Sequence, residues 1–138
     1  MTSSSSYIAL DVGEVRIGVA YTIANTSIAK PSGIIKNDEH VFEAITELAT
    51  KHHAQAIIIG LPRGLRGQNT DQTSYAMQFG QRLQKHVDIP LIYQDEALTS
   101  HRAQQELAAA GKQPQQGDID ALAASYILQD YISEKVSA

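Results

Sequence analysis

The stretch Ala9-Leu10-Asp11-Val12-Gly13-Glu14-Val15-Arg16-Ile17-Gly18-Val19-Ala20 decides the fold, because it sets one carboxylate between an apolar run and a glycine turn. Tyr7 to Leu10 is wholly apolar, the pattern of a strand covered on both faces, and Asp11 ends it. Gly13 supplies a turn. From Arg16 to Thr22, Ile17, Val19 and Tyr21 alternate with Gly18, Ala20 and Thr22, so the two runs predict a hairpin.

Working outward, Asn25 and Thr26 mark a second turn, and a third strand over 28–35 contains Pro31, which cannot donate to a ladder and so belongs at an edge. Val41, Ile45, Leu48 and Ala49 then recur at helical spacing, and that helix is expected to end near His52 and His53. Ala56 to Ile59 is again a buried strand, closed by Gly60-Leu61-Pro62. The loop RGLRGQNTD leads to a helix with Ala76, Phe79, Leu83 and Val87 on its apolar face. Pro90 to Tyr93 forms the last strand and runs out into Gln94-Asp95-Glu96. A helix from Ser100 to Ala110 stops at Gly111, and a final helix is expected from about Asp118 to Lys135. The order β-β-β-α-β-α-β-α-α implies an α/β fold with one mixed sheet and helices on its faces.

A chain of 138 residues is the size of one domain and can bury a core without staples. Residues 1–6 read as a disordered, frayed N-terminal tail and 7–138 as a single domain. With no cysteine, neither disulfides nor thiolate zinc sites are available, and a reducing cytoplasm is the simple expectation. No apolar run approaches membrane-spanning length, and the start lacks a basic signal region. The net charge of −4 would not steer a polyanion inward, so any nucleic-acid contact must be a local patch.

Ligands of open α/β sheets gather beyond the carboxyl ends of parallel strands. Asp11 ends the first strand there, Asp95 and Glu96 end the last, and the loop after Ile59 opens at the same edge. In the final helix, Ile119, Leu122, Ala123, Tyr126, Ile127 and Tyr131 define a buried stripe that Asp120 flanks, at about 100° per residue. Asp118 points away and reads as an N-cap, whereas Asp120 lies in the first turn and faces the sheet. Singly, each acid has an ordinary explanation as turn residue, cap or dipole partner. Together they repel one another unless a cation neutralises them or a pKa rises, and hard oxygen donors without cysteine point to Mg²⁺ or Mn²⁺. Arg63 and Arg66 lie on a loop at this edge that is not a P-loop, since no GK[ST] follows. Adjacent His52 and His53 cannot face one ligand together, and His101 near a helix start reads as exposed.

Four ordered motifs, ALDVGEVRIGVA, IIIGLPRGLRGQ, DEALTS and GDIDALAASYIL, resemble the YqgF/RuvX family of pre-16S rRNA nuclease-type and Holliday-junction-resolvase-like proteins, from Tyr7 to about Tyr131. The resemblance implies a ribonuclease H-like fold, with a five-stranded mixed sheet (three antiparallel strands, then two parallel) whose central strand carries the first acid. It also implies metal-dependent phosphodiester hydrolysis by Asp11, Glu96 and Asp120, with Asp95 as a possible further metal ligand. Two departures stand out. The family's GTKRIGVA is GEVRIGVA here, and the arginine of its DER-L-T motif is Ala97; the loss of that cation bears on phosphate contact and on the orientation of Glu96.

The expected activity is therefore a Mg²⁺- or Mn²⁺-dependent nuclease acting on nucleic acid, with pre-16S rRNA 5′-end processing favoured over resolution of branched DNA. Arg16, Arg63, Arg66, Arg102 and Lys112 are the candidate phosphate contacts. A monomer suffices for rRNA processing, and a homodimer suits a resolvase that cuts two strands symmetrically. Two other readings differ in class. The first motif also resembles the phosphate hairpin of actin and sugar kinases, which needs a second domain; and the departures at Glu14, Val15 and Ala97 would suit a nucleic-acid-binding module without turnover.

Overall fold

The computed structural model describes residues 6–23, 26–96, 99–111 and 115–137. Asn25, Ala97, Lys112 and the tail at 1–5 fall outside them. The elements are β1 (Tyr7–Val12), β2 (Arg16–Thr22), β3 (Ala29–Lys36), α1 (Val41–Lys51), β4 (Ala56–Pro62), α2 (Asp71–Leu83), β5 (Leu91–Glu96), α3 (Thr99–Ala109) and α4 (Gln116–Ser137). The strands form one five-stranded sheet in the order β3-β2-β1-β4-β5. β1, β2 and β3 pair antiparallel, whereas β4 pairs parallel to both β1 and β5. The predicted element order and sheet arrangement are therefore met, and β1 is central, as its continuously apolar sequence requires.

Alternation along β1 feeds two cores. Ile8 and Leu10 join Ile17, Ile45, Phe79 and Leu83 beneath α1 and α2, while Tyr7 and Ala9 join Ile58, Ala124, Ile127 and Leu128 beneath α4. Asp11 continues the second series, so its side chain emerges on the α4 face where the hydrophobic layer ends. Gly18 on β2 lets α4 approach: a Cβ there would lie 2.0 Å from the backbone oxygen of Asp120. This contact sets the first turn of α4 directly on the sheet. Further along, Gln129 receives the backbone N–H of Ala29 through Oε1 at 3.0 Å and donates to the Ser27 carbonyl at 3.1 Å, latching α4 to the edge strand.

Several boundaries differ from expectation for local reasons. β5 takes in Gln94, Asp95 and Glu96, because their ladder with β4 continues to Pro62. α2 ends before Val87, which nevertheless packs on the core beneath it. α4 begins at Gln116, so Asp118 stands inside the first turn and is not the cap. The expected stripe on α4 also divides: Ala121, Ala124, Leu128 and Ile132 are buried, while Leu122, Tyr126 and Tyr131 are only half-buried. The helix is covered by the sheet on one side and by α3 on another, where Arg102 lies 4.3 Å over the Tyr126 ring. Two covered sides blur a single apolar stripe.

Candidate active site

A cleft of about 650 Å³ opens at the carboxyl ends of β1 and β4. Its walls come from the β1–β2 turn with Asp11 and Arg16, from Pro62 and Arg63 after β4, from Asp71, Gln72 and Tyr75 on α2, and from Gln116 and Asp120 on α4. The turn is held in place from outside. Asn37 donates through Nδ2 to the Gly13 carbonyl at 2.8 Å and to the Tyr75 hydroxyl at 2.9 Å, and its own N–H bonds the Val15 carbonyl at 3.0 Å. Gly13 is required because a Cβ would sit 2.7 Å from the Arg16 carbonyl oxygen that the Gly13 N–H uses at 3.1 Å.

The structure brings Asp11 and Asp120 together across 109 positions of sequence numbering, one from the central strand and one from the last helix. Burial, with a smaller contribution from the Asp120 charge, pushes the Asp11 carboxyl up to about 7. Asp120 has both oxygens engaged: Arg16 Nε donates to Oδ2 at 2.6 Å, and Gln116 Nε2 donates to Oδ1 at 2.9 Å. The Asp120 side chain is only 13% exposed and that of Arg16 31%, so the pair is partly desolvated.

Glu96 stands elsewhere. It is buried on the α4 face of β5, and burial together with a hydrogen bond to the Asp130 carboxyl pushes it up to about 8. Its Oε1 is buried without a hydrogen-bond partner among the described residues. Asp95, one residue earlier, points to the opposite face and binds Arg63, whose Nη2 and Nε reach Oδ1 at 2.7 and 3.1 Å. Among the described residues no three His, Cys, Asp or Glu side chains converge closely enough to hold a metal ion.

The candidate phosphate contacts separate in the same way. Arg16 and Arg63 line the cleft but are already paired with Asp120 and Asp95. Arg66 is on the exposed loop after β4, its N–H bonded to Gln68 Oε1 at 2.9 Å. Arg102 lies on α3 beside Asp130 at 3.3 Å, near Glu96 and away from the cleft walls. Lys112 is outside the described residues. His52 is half-buried and stacks on Tyr21 at 4.3 Å, while His53 is exposed, and neither enters the cleft. Tyr75, Asn37 and Gln116 were not singled out by sequence reasoning. Asp71, Gln72 and Tyr75 all reach the cleft from the first turns of α2, and this polar i, i+1, i+4 set flanking the buried Ala76 and Phe79 was the available signal.

The donor set suits a hard cation. Asp11 is desolvated beside a second carboxylate, Glu96 has an orphaned buried oxygen, and all candidate donors are oxygen atoms. Asp11 and Asp120 are the two that already share a cleft.

Over residues 5–134 the chain matches the RuvX family, described as Holliday junction resolvase. A "Putative pre-16S rRNA nuclease" of Sulfurihydrogenibium sp. (strain YO3AOP1) is 38% identical over 130 residues, covering 93% of this chain and 90% of that protein. Among solved structures, T. thermophilus RuvC in complex with Holliday junction substrate superposes with a TM-score of 0.60 at 11% identity, over 98% of each chain. The fowlpox virus resolvase, also in complex with junction DNA, gives a TM-score of 0.55 at 14% identity, over 95% of this chain and 99% of that one. At these identities the likeness is one of fold, and it agrees with the expected ribonuclease H-like architecture.

Proposed function

The chain belongs to the RuvX family, and on that premise we propose that it is a divalent-metal-dependent nuclease that trims the 5′ end of pre-16S rRNA in the cytoplasm. The observation that carries the reading is the cleft itself: Asp11, at the end of the central strand, and Asp120, on the helix pressed onto Gly18, face one another where parallel strands end. Residues 7–138 act as one nuclease domain.

Asp11 and Asp120 are the residues that would hold Mg²⁺ or Mn²⁺, with Glu96 as the third carboxylate and Asp95 at most a peripheral participant. When bound, such an ion supplies a Lewis acid that neutralises charge on the scissile phosphate and activates water. The protein contributes position. Asp11 is fixed by a strand buried on both faces, and Asp120 by a backbone contact that allows no movement toward β2. Arg63 and Arg66, on the loop after β4, and Arg16 supply cationic contacts for the phosphates on either side of the scissile bond, with Arg102 further out along the strand and Lys112, outside the described residues, a further candidate. These local cations let an acidic protein engage a polyanion.

Branched DNA is the second reading, favoured by the description of the matching family. It requires a two-fold dimer, whereas rRNA end trimming is complete in a monomer. The deciding experiment offers matched pre-rRNA 5′ fragments and four-way DNA junctions to the protein with Mg²⁺ or Mn²⁺. RNA cleavage that falls by about 10²-fold or more in Asp11→Asn supports the proposal. Symmetric junction cleavage with intact RNA would replace it with the second reading, and equal cleavage by wild type and Asp11→Asn would overturn both.

A further inference from the structure

One close polar contact in the cleft joins two of its own walls. Arg16 Nε donates to Asp120 Oδ2 at 2.6 Å, while Gln116 donates to Oδ1 at 2.9 Å, so the protein engages both carboxylate oxygens. The backbone beneath cannot relax this contact. Arg16 begins β2, which pairs on both sides with β1 and β3, and two residues later Gly18 holds the Asp120 carbonyl at van der Waals closeness. Any opening therefore falls to the side chains, and Arg16 is the more exposed of the two. It lines the cleft, keeps 31% of its surface exposed, and has rotatable bonds enough to turn toward the opening.

We infer that Arg16 is a resident counter-cation for Asp120, which competes with the divalent ion and is drawn off by the phosphates of the nucleic acid, so that substrate and metal load the site together. This rests on the assignment of Asp11 and Asp120 as metal-holding residues. Two cations that need the same carboxylate oxygen oppose one another. A phosphate that takes the guanidinium removes that opposition, and by reciprocity the metal tightens the hold on the phosphate. Arg16 is thus a positioning residue whose partner changes on substrate binding. Metal-free, substrate-free protein keeps its carboxylate neutralised and its strand β2 end tied to α4, which accounts for the close, part-buried pair without recourse to stability, since such a pair adds little of it.

Calorimetry with Mn²⁺ tests this without any turnover. For wild type, adding a cleavage-resistant phosphorothioate oligonucleotide should tighten Mn²⁺ binding by about tenfold. Arg16→Gln should bind Mn²⁺ about tenfold more tightly than wild type when no oligonucleotide is present, and the oligonucleotide should then change its affinity little. Arg16→Lys, which keeps the charge but not the directed Nε contact, should fall between them. If the oligonucleotide leaves wild-type Mn²⁺ affinity unchanged, the inference is overturned, and that measurement depends on no variant's ability to fold. Unaltered Mn²⁺ affinity in folded Arg16→Gln, alongside weakened binding in Asp120→Asn, would also overturn it while leaving the metal assignment standing. Wild-type Mn²⁺ binding in Asp11→Asn and Asp120→Asn would instead remove the assignment, and the inference with it.

Discussion

At the scale of the residue, Asp11 is a carboxyl held where its charge is unwelcome. Burial beside Asp120 raises it from 3.8 to about 7, so between those values the folded protein keeps a proton that the unfolded chain has released. Protons bound in excess by the folded state make stability fall as pH rises across that interval. Asp11→Asn removes the group, and in chelator-treated protein it should therefore be more stable than wild type at pH 8, by about 2 kcal/mol, with the difference fading toward pH 4. Urea melts at the two pH values measure this; a variant equally stable or weaker at pH 8 would contradict the burial of charge at Asp11. Asp11 could be picked from sequence because it ends an apolar strand at the sheet edge where other acids also fall, although alone it would pass for a turn residue. Glu96 could be picked in the same way, yet its engagement with Asp130 could not, since the two meet only through the path of α4 across the sheet.

Elements set how far such residues can move. The first turn of α4 rests on Gly18, and its middle rests on Gly60, where a Cβ would meet Ile127 Cδ1 at 2.4 Å. The two glycines differ in what opposes them. Gly18→Ala drives a methyl group into backbone, so α4 must lift; a loss of about 3 kcal/mol and a marked fall in the activity of the folded fraction are expected. Gly60→Ala meets a side chain that can rotate, so it should cost stability while sparing more of that activity. Thermal melts combined with cleavage assays separate the pair, and equal activity losses would show that the α4 seat does not position Asp120. Strands were easier to foresee than helix ends. β1 and β4 announce themselves as short apolar runs, whereas the start of α4 depends on two residues of polar sequence, Gln116 and Gly117, which carry no strong signal. Misplacing that start by two positions turned Asp118 into a cap and left Gln116 unnoticed beside Asp120.

For the whole molecule, a net charge of −4 and a carboxylate-lined cleft make cation binding a stabilising act. Mg²⁺ or Mn²⁺ at about a hundred times its dissociation constant should raise Tm by roughly 8 °C, through preferential binding to the folded state. Asp120→Asn should lose most of that rise, and an undiminished shift would place the ion elsewhere. The assembly of the fold adds a final consequence to the pairing of Arg16 with Asp120, which spans 104 positions. Strands β1 and β2 close over a short turn, but Asp120 joins Asp11 in the cleft only after the chain has passed through every other element. A fluctuation that peels α4 from the sheet takes that acid away while the strands stay paired. On the proposed assignment of Asp120 as a metal-holding residue, partly opened molecules are thereby disarmed, and half-finished copies carry no cutting edge.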